Sequence, residues 1–297
     1  MCRQLAYAGS PICLHQLLVE PEWSLIAQSR AARLAKTPVN GDGSGVGWYG
    51  ARPEPELYRG TRPAWSDNEL LAFARQTSSP LFLAHVRAAT SGAVSPENCH
   101  PFGEGRQLFM HNGQVRNYER LHNRIDALIG KDHAPLRRGS CDSEAIFLSA
   151  CGRGLQNDPI AALSKTLAAI ASIVAEAGLD GTNSQSEGCE DGHLSFAATY
   201  CDGERLIAFR WSDRGQPPSL YWRRLNHAAG AGVVIASEPY DAADEAWTIV
   251  PPSSVLSVWP DGRMTIAPFA PDRDPAALSG QEATRSMASA RRDRAVA

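Results

Sequence analysis

The second residue of the chain is a cysteine, in Met1-Cys2-Arg3. Loss of an initiator Met is favoured when the next side chain is small, and Cys is small. The chain would then begin with a nucleophilic thiol and a free α-amine on one residue. The amine can take the thiol's proton, which is the arrangement of an N-terminal nucleophile. The other reading of Cys2 is a small buried side chain. Which holds depends on whether the chain supplies the remaining parts of such a site.

Three segments carry suitable groups. The stretch LAHVRAATSG over residues 83–92 runs from an apolar strand into a small-residue turn, with Arg87 at the strand end. Its guanidinium can grip a carboxylate by two parallel hydrogen bonds, or lie idle at the surface. Phe109-Met110-His111-Asn112-Gly113-Gln114 reads as a strand entering a turn. Asn-Gly is ordinary turn chemistry. It also fits an oxyanion hole, where the Asn112 amide and the Gly113 N–H meet a developing negative charge and glycine lets a substrate approach the main chain. Gly139-Ser140-Cys141-Asp142-Ser143-Glu144 precedes a helix. Asp142 is either its N-cap or a partner for a ligand ammonium.

Other clusters point away from chemistry. Gly45-Val46-Gly47-Trp48-Tyr49-Gly50 matches G-x-G-x-x-G, but Ala51-Arg52-Pro53-Glu54-Pro55 follows and cannot open a helix, so the dinucleotide reading fails. Alternate glycines in a strand instead mark close approach by a neighbouring element. In Asn98-Cys99-His100-Pro101-Phe102 the Cys and His are adjacent, point opposite ways on an extended chain, and read as structural. His85 and His111 lie inside strand patterns and read as packing or hydrogen-bonding residues.

The elements that must position these groups are legible in outline. Residues 3–9, 45–50, 80–87, 106–111, 194–201, 204–211, 232–237, 254–259 and 263–267 are short β-branched or aromatic runs bounded by turn residues. Asp202-Gly203 marks a hairpin. Ser66-Asp67-Asn68-Glu69 fits a capping box ahead of Leu70, Leu71 and Phe73. Asp158-Pro159 opens a long Ala/Leu/Ile helix that should stop at Gly178. Tyr118, Leu121, Ile125 and Leu128 share a helical face ending at Gly130. Asp142 or Ser140 would cap the helix carrying Ala145, Ile146 and Leu148. Strands, then helices, then strands, without βαβ alternation, give an α+β layered domain with antiparallel sheets.

The chain has 297 residues, 43% hydrophobic, with a net charge of −3 and mixed signs, which excludes a basic nucleic-acid stripe and leaves ample core. No signal pattern or membrane-length apolar run is evident, so a cytoplasmic protein without membrane or nucleic-acid partners is expected. Seven cysteines (Cys2, Cys13, Cys99, Cys141, Cys151, Cys189 and Cys201) without any C-x-x-C argue against a disulfide framework or a zinc site. No cofactor or metal is expected. Residues 179–193 read as an exposed polar loop or insertion, and 271–297 as a disordered tail behind one domain over 2–270.

Taken together, Met1-Cys2-Arg3, Asp42-Gly43-Ser44-Gly45-Val46-Gly47, His85-Val86-Arg87-Ala88-Ala89-Thr90, Asn98-Cys99-His100-Pro101-Phe102, His111-Asn112-Gly113 and Cys141-Asp142-Ser143-Glu144 resemble the class II glutamine amidotransferases, which are N-terminal-nucleophile (Ntn) hydrolases. Within that family the similarity runs to stand-alone members: the γ-glutamyl hydrolase of ergothioneine biosynthesis and the amidotransferase-like subunit of the fungal glutathione-degrading complex. Ser237-Glu238-Pro239-Tyr240 with Trp247 and Val250-Pro251 also looks like their C-terminal part. The resemblance implies a four-layer αββα sandwich of two antiparallel sheets. It implies Cys2 as nucleophile, Arg87 on an α-carboxylate, Asp142 on an α-ammonium, and Asn112 with Gly113 as oxyanion hole. Ser44, Gln4, Ala88 and Ser91 depart from residues common in relatives, and the last two put the leaving-group side of the pocket in question.

The expected reaction is cleavage of a γ-glutamyl amide through a thioester on Cys2, releasing glutamate from a small thiol or sulfoxide conjugate. The alternatives are a glutaminase subunit feeding ammonia to a separate synthase and a non-catalytic scaffold. The chain past about residue 270 leaves no room for a synthase domain, and intact chemical residues speak against the scaffold. A partner peptidase or synthase and a homo-oligomer stay open.

Overall fold

A computed structural model describes residues 2–35, 37–178 and 193–271. The strands, in chain order, are β1 (Arg3–Cys13), β2 (Ser44–Trp48), β3 (Glu56–Gly60), β4 (Ser78–Val86), β5 (Phe102–Glu104), β6 (Gln107–Val115) and β7 (Leu194–Cys201). They continue with β8 (Leu206–Ser212), β9 (Tyr221–His227), β10 (Gly230–Ala236), β11 (Thr248–Ile249), β12 (Ser254–Val258) and β13 (Met264–Pro268). The helices are α1 (His15–Leu18), α2 (Leu25–Arg30), α3 (Asn68–Gln76), α4 (Tyr118–Asp126), α5 (Asp142–Cys151) and α6 (Pro159–Glu176).

The strands form two antiparallel sheets, ordered β11-β9-β10-β1-β4-β2-β3 and β13-β12-β8-β7-β6-β5. Strand alternation explains the layering. Leu5 and Tyr7 of β1, with Phe82 and Ala84 of β4, pack under α1–α3. Their neighbours Ala6, Ala8, Leu81 and Leu83 meet Leu108, Met110, Ala208 and Leu256 of the other sheet. On that sheet's far side Phe109, Phe196 and Phe209 pack against Ile146 and Phe147 of α5 and Leu163 and Leu167 of α6. The central strands are therefore apolar on both faces, and the result is the expected four-layer αββα sandwich of the α+β class.

Helix α6 is long and apolar enough to cross a membrane by length and composition alone. Here half of it is buried, and its apolar face belongs to the core over the second sheet. Asp158 caps it, its Oδ1 accepting the Ala161 N–H at 3.0 Å. Helix α3 starts one residue later than the capping-box reading: Asp67 is the N-cap and accepts from Leu70 N–H at 3.2 Å. Neither Ser140 nor Asp142 caps α5, because the N-cap is Cys141 and the Asn98 side chain takes up the Ser140 and Cys141 N–H groups. The Asp202-Gly203 hairpin joins β7 to β8 as expected. Of the polar stretch 179–193 only His193, and of the tail 271–297 only Pro271, falls within the described residues.

Strand β6 also differs from expectation. It does not turn at Asn112-Gly113 but runs on to Val115, with Asn112 opposite Ala197 and Gly113 opposite Phe196 of β7. Pairing with β7 overrides the local turn preference. Glycine is needed there, since a Cβ on Gly113 would lie 1.9 Å from the Ser195 carbonyl oxygen.

Candidate active site

Cys2, Arg87, Gly113 and Asp142 line one small cavity, together with His100, His111 and Ser91. They arrive from four places: the start of β1, the end of β4, the C-terminal end of β6 and the first residue of α5. The space is about 20 Å³, room for a water and little more.

The Cys2 sulfur lies 3.4 Å from both the backbone N and O of Ala88. Burial pushes its thiol pKa up, while the Ala88 N–H and then the Arg87 and Arg3 charges pull it back. A thiol in this setting needs a base. The strand start is clamped in turn. Arg3, fully buried, donates from Nε to the Cys2 carbonyl at 2.7 Å and approaches Glu238 to 4.0 Å. Gln4 and Ser237 exchange two hydrogen bonds, at 3.0 and 2.9 Å. The Glu238 carboxylate also accepts the Arg33 and Leu34 N–H groups, so the Ser237-Glu238 motif fixes the segment carrying Cys2.

Arg87 is buried, not a surface arginine. Its guanidinium donates to its own loop, to the carbonyls of Ser91 (2.8 Å), Gly92 (3.4 Å) and Ala93 (3.0 Å). Its backbone is tied to Asp42-Gly43, and Asp42 accepts the Ala89 N–H at 2.8 Å. The Asp142 carboxylate accepts from Val115 N–H and Ser143 N–H, both at 2.8 Å, and from the Ser91 hydroxyl at 3.2 Å. The Ser143 hydroxyl also lies 3.3 Å from Asp142 Oδ1, so the roughly four lone-pair sites of this carboxylate are all engaged.

Amide directions alternate along a strand. Val115 N–H leaves β6 toward Asp142, so the Gly113 N–H leaves from the same edge. Strand β5 pairs with β6 only as far as Phe109 and does not reach that N–H. Asn112 does not line the cavity. By alternation it faces the other sheet with Leu108 and Met110; its side chain is fully buried, and among the described residues neither amide atom has a hydrogen-bond partner.

Two histidines complete the wall. His111 Nε2 donates to the Ser195 carbonyl at 3.1 Å and its Nδ1 lies 2.9 Å from the Ser143 hydroxyl, a hydrogen-bonding role. His100 faces the cavity with both ring nitrogens unpartnered among the described residues, and its ring lies tilted against that of His85 at 4.1 Å between ring centres. Burial holds His100 well below the usual histidine range and His85 at about 3, so both are neutral. Gly45 abuts the His100 carbonyl, where a Cβ would lie 2.3 Å away, which is the close approach expected of those alternate glycines. Ser91, Asn98 and Glu238 support the site; the sequence marked their segments by resemblance but not these supporting roles. Strand β3, not a helix, follows the glycine-rich segment, so no dinucleotide cradle forms.

The family model for class II glutamine amidotransferases matches residues 17–282. The chain is 32% identical to the probable glutamine amidotransferase DUG3 of Saccharomyces cerevisiae, over 87% of this chain and 82% of that protein. It is 29% identical to the gamma-glutamyl-hercynylcysteine sulfoxide hydrolase of Mycolicibacterium smegmatis, over 91% and 100%. Among solved structures, a glutamine aminotransferase class-II domain protein from Silicibacter pomeroyi superposes with a TM-score of 0.70 at 34% identity, covering 92% of this chain and 100% of that one. The glutamine phosphoribosylpyrophosphate amidotransferase of B. subtilis shares the fold alone, with a TM-score of 0.57 at 15% identity over 91% of this chain and 50% of that one. The chain is an enzyme that belongs to the class II glutamine amidotransferases.

Proposed function

We propose that this enzyme hydrolyses the γ-glutamyl amide bond of a small thiol- or sulfoxide-bearing conjugate and releases glutamate. The observation that carries the proposal is the meeting of Cys2, Arg87, Gly113 and Asp142 around one cavity. After Met1 is removed, the Cys2 α-amine, with an ordinary pKa of about 7.7–8.0, accepts the thiol proton. The thiolate attacks the γ-carbonyl carbon. The Gly113 N–H stabilises the oxyanion, joined by the Asn112 amide once that side chain, which lies outside the cavity, turns toward it. The α-ammonium of Cys2 protonates the departing amine, and water hydrolyses the thioester, returning the thiol.

Arg87 and Asp142 read the two charged ends of the glutamyl group. The cavity is too small to admit it while Arg87 holds the carbonyls of residues 91–93. On this reading the guanidinium exchanges loop carbonyls for the substrate carboxylate, and the loop withdraws. The conjugate class is supported by the Mycolicibacterium smegmatis relative, a gamma-glutamyl-hercynylcysteine sulfoxide hydrolase that this chain matches over that protein's whole length.

The test offers glutamine, glutathione and γ-glutamyl-hercynylcysteine sulfoxide to the purified protein and follows glutamate and ammonia. The proposal expects glutamate from at least one conjugate at a kcat/KM well above that for glutamine, and no release by Cys2→Ala. Turnover of glutamine alone would instead support ammonia supply to a separate synthase. Undiminished release by Cys2→Ala would overturn the mechanism.

A further inference from the structure

At the far end of α5 from Asp142, three side chains of different chemistry converge. Glu104 closes β5, His133 lies in the connection between α4 and α5, and Cys151 is the last residue of α5. Their ligand atoms all lie within 4.8 Å of one another. Cys151 is buried, and Glu104 and His133 are half-buried. Asp142 and Cys151 stand at opposite ends of a helix with about 1.5 Å rise per residue, which puts the cluster roughly 14 Å from the Cys2 cavity.

We propose that Glu104, His133 and Cys151 form a binding site for a divalent transition metal, with Zn²⁺ as the ion that fits. A thiolate, an imidazole and a carboxylate are the donor types Zn²⁺ takes, whereas Mg²⁺ and Ca²⁺ demand oxygen donors throughout. The charges balance: one thiolate and one carboxylate against a dication, with the imidazole neutral. Binding forms an S–metal bond and expels one proton, the one carried by the Cys151 thiol. Three protein ligands leave a fourth position for water.

The surroundings suit this. Gln107 Nε2 donates to Glu104 Oε2 at 2.8 Å and leaves Oε1 for the metal, and the Tyr200 hydroxyl donates to Gln107 Oε1 at 3.2 Å. That chain orients a ligating carboxylate in the way outer hydrogen bonds do in metal sites. The carbonyl-bearing end of α5 favours a cation. Gly152 and Gly130 pass closely, a Cβ on Gly152 reaching 3.3 Å from Gly130 N, which brings the His133 segment against the helix end. The bound ion would tie β5, the α4–α5 connection and α5 together.

The experiment titrates the full-length protein, stripped with a chelator, with Co²⁺ and records the absorption spectrum. A site of this kind gives one equivalent of Co²⁺ with a thiolate-to-cobalt charge-transfer band in the near ultraviolet and tetrahedral d–d bands in the visible. Zn²⁺ should bleach both. The bands should persist in Cys2→Ser, vanish in Cys151→Ser, and weaken with at least a tenfold loss of Co²⁺ affinity in His133→Gln, a variant that leaves the buried thiol in place should Cys151→Ser fold poorly. Absence of the charge-transfer band in the wild-type protein, or its survival with undiminished affinity in either Cys151→Ser or His133→Gln, would overturn the site.

Discussion

Asn112 is fully buried, yet among the described residues neither end of its side-chain amide has a hydrogen-bond partner. Leaving a buried polar group unpaired costs about 1–3 kcal/mol, a penalty no ordinary core residue needs to carry. In the proposed reaction that amide helps receive the oxyanion. Replacing it should therefore cost rate and not fold: Asn112→Ala is expected to lower kcat by about 10²–10³ while its thermal midpoint stays level or rises. Steady-state kinetics beside a melting curve checks this, and an unchanged kcat would remove Asn112 from the mechanism. Arg87 and Asp142 differ in kind. Their polar atoms are already engaged, so substitution there perturbs the loop and the helix start as well as any substrate contact.

At the scale of elements, the start of β1 is held by the Ser237-Glu238 segment that follows β10. Glu238→Gln removes the charge facing the buried Arg3 guanidinium and weakens the acceptor shared by Arg33 and Leu34. Breaking a buried pair on one side typically costs about 3–5 kcal/mol, so chemical denaturation should show a marked fall in midpoint, and an unchanged midpoint would show that the clamp bears no load. This clamp could not be read locally, because it joins residues more than 230 positions apart. The central strands were legible because both their faces are apolar. Strands β3, β5 and β11 were not: they lie at sheet edges, are short, and carry exposed residues; nor was β9, which is paired on both sides but only half-buried and rich in polar residues. Asn112-Gly113 was misread as the entry to a turn, since its strand conformation comes from β7 rather than from the dipeptide. Cys2, Arg87, Gly113 and Asp142 were legible because strand ends and a helix start carry them; the closure of the 88–93 loop by Arg87 was not.

For the whole molecule, His85, His100 and His111 are buried and neutral between the layers, their pKa values pushed down by burial, His85 to about 3. An unfolded histidine binds a proton below about 6.5, and these do not while folded. Their contribution is complete above that pH and is lost as pH falls below it, for His85 down to about 3, at up to ~1.4 kcal/mol per pH unit for each group. Denaturation midpoints should thus fall on acidification from neutral pH, and midpoints that hold or rise would contradict the burial of this cluster. The central claim, however, is an N-terminal cysteine that attacks a γ-glutamyl carbonyl. It is tested most directly by treating the active protein with the γ-glutamyl affinity label 6-diazo-5-oxonorleucine and mapping the adduct by mass spectrometry. A single adduct on Cys2 is expected, in a chain that has lost Met1, with activity lost in step. An adduct on another cysteine, or full activity in a chain that retains Met1, would contradict it.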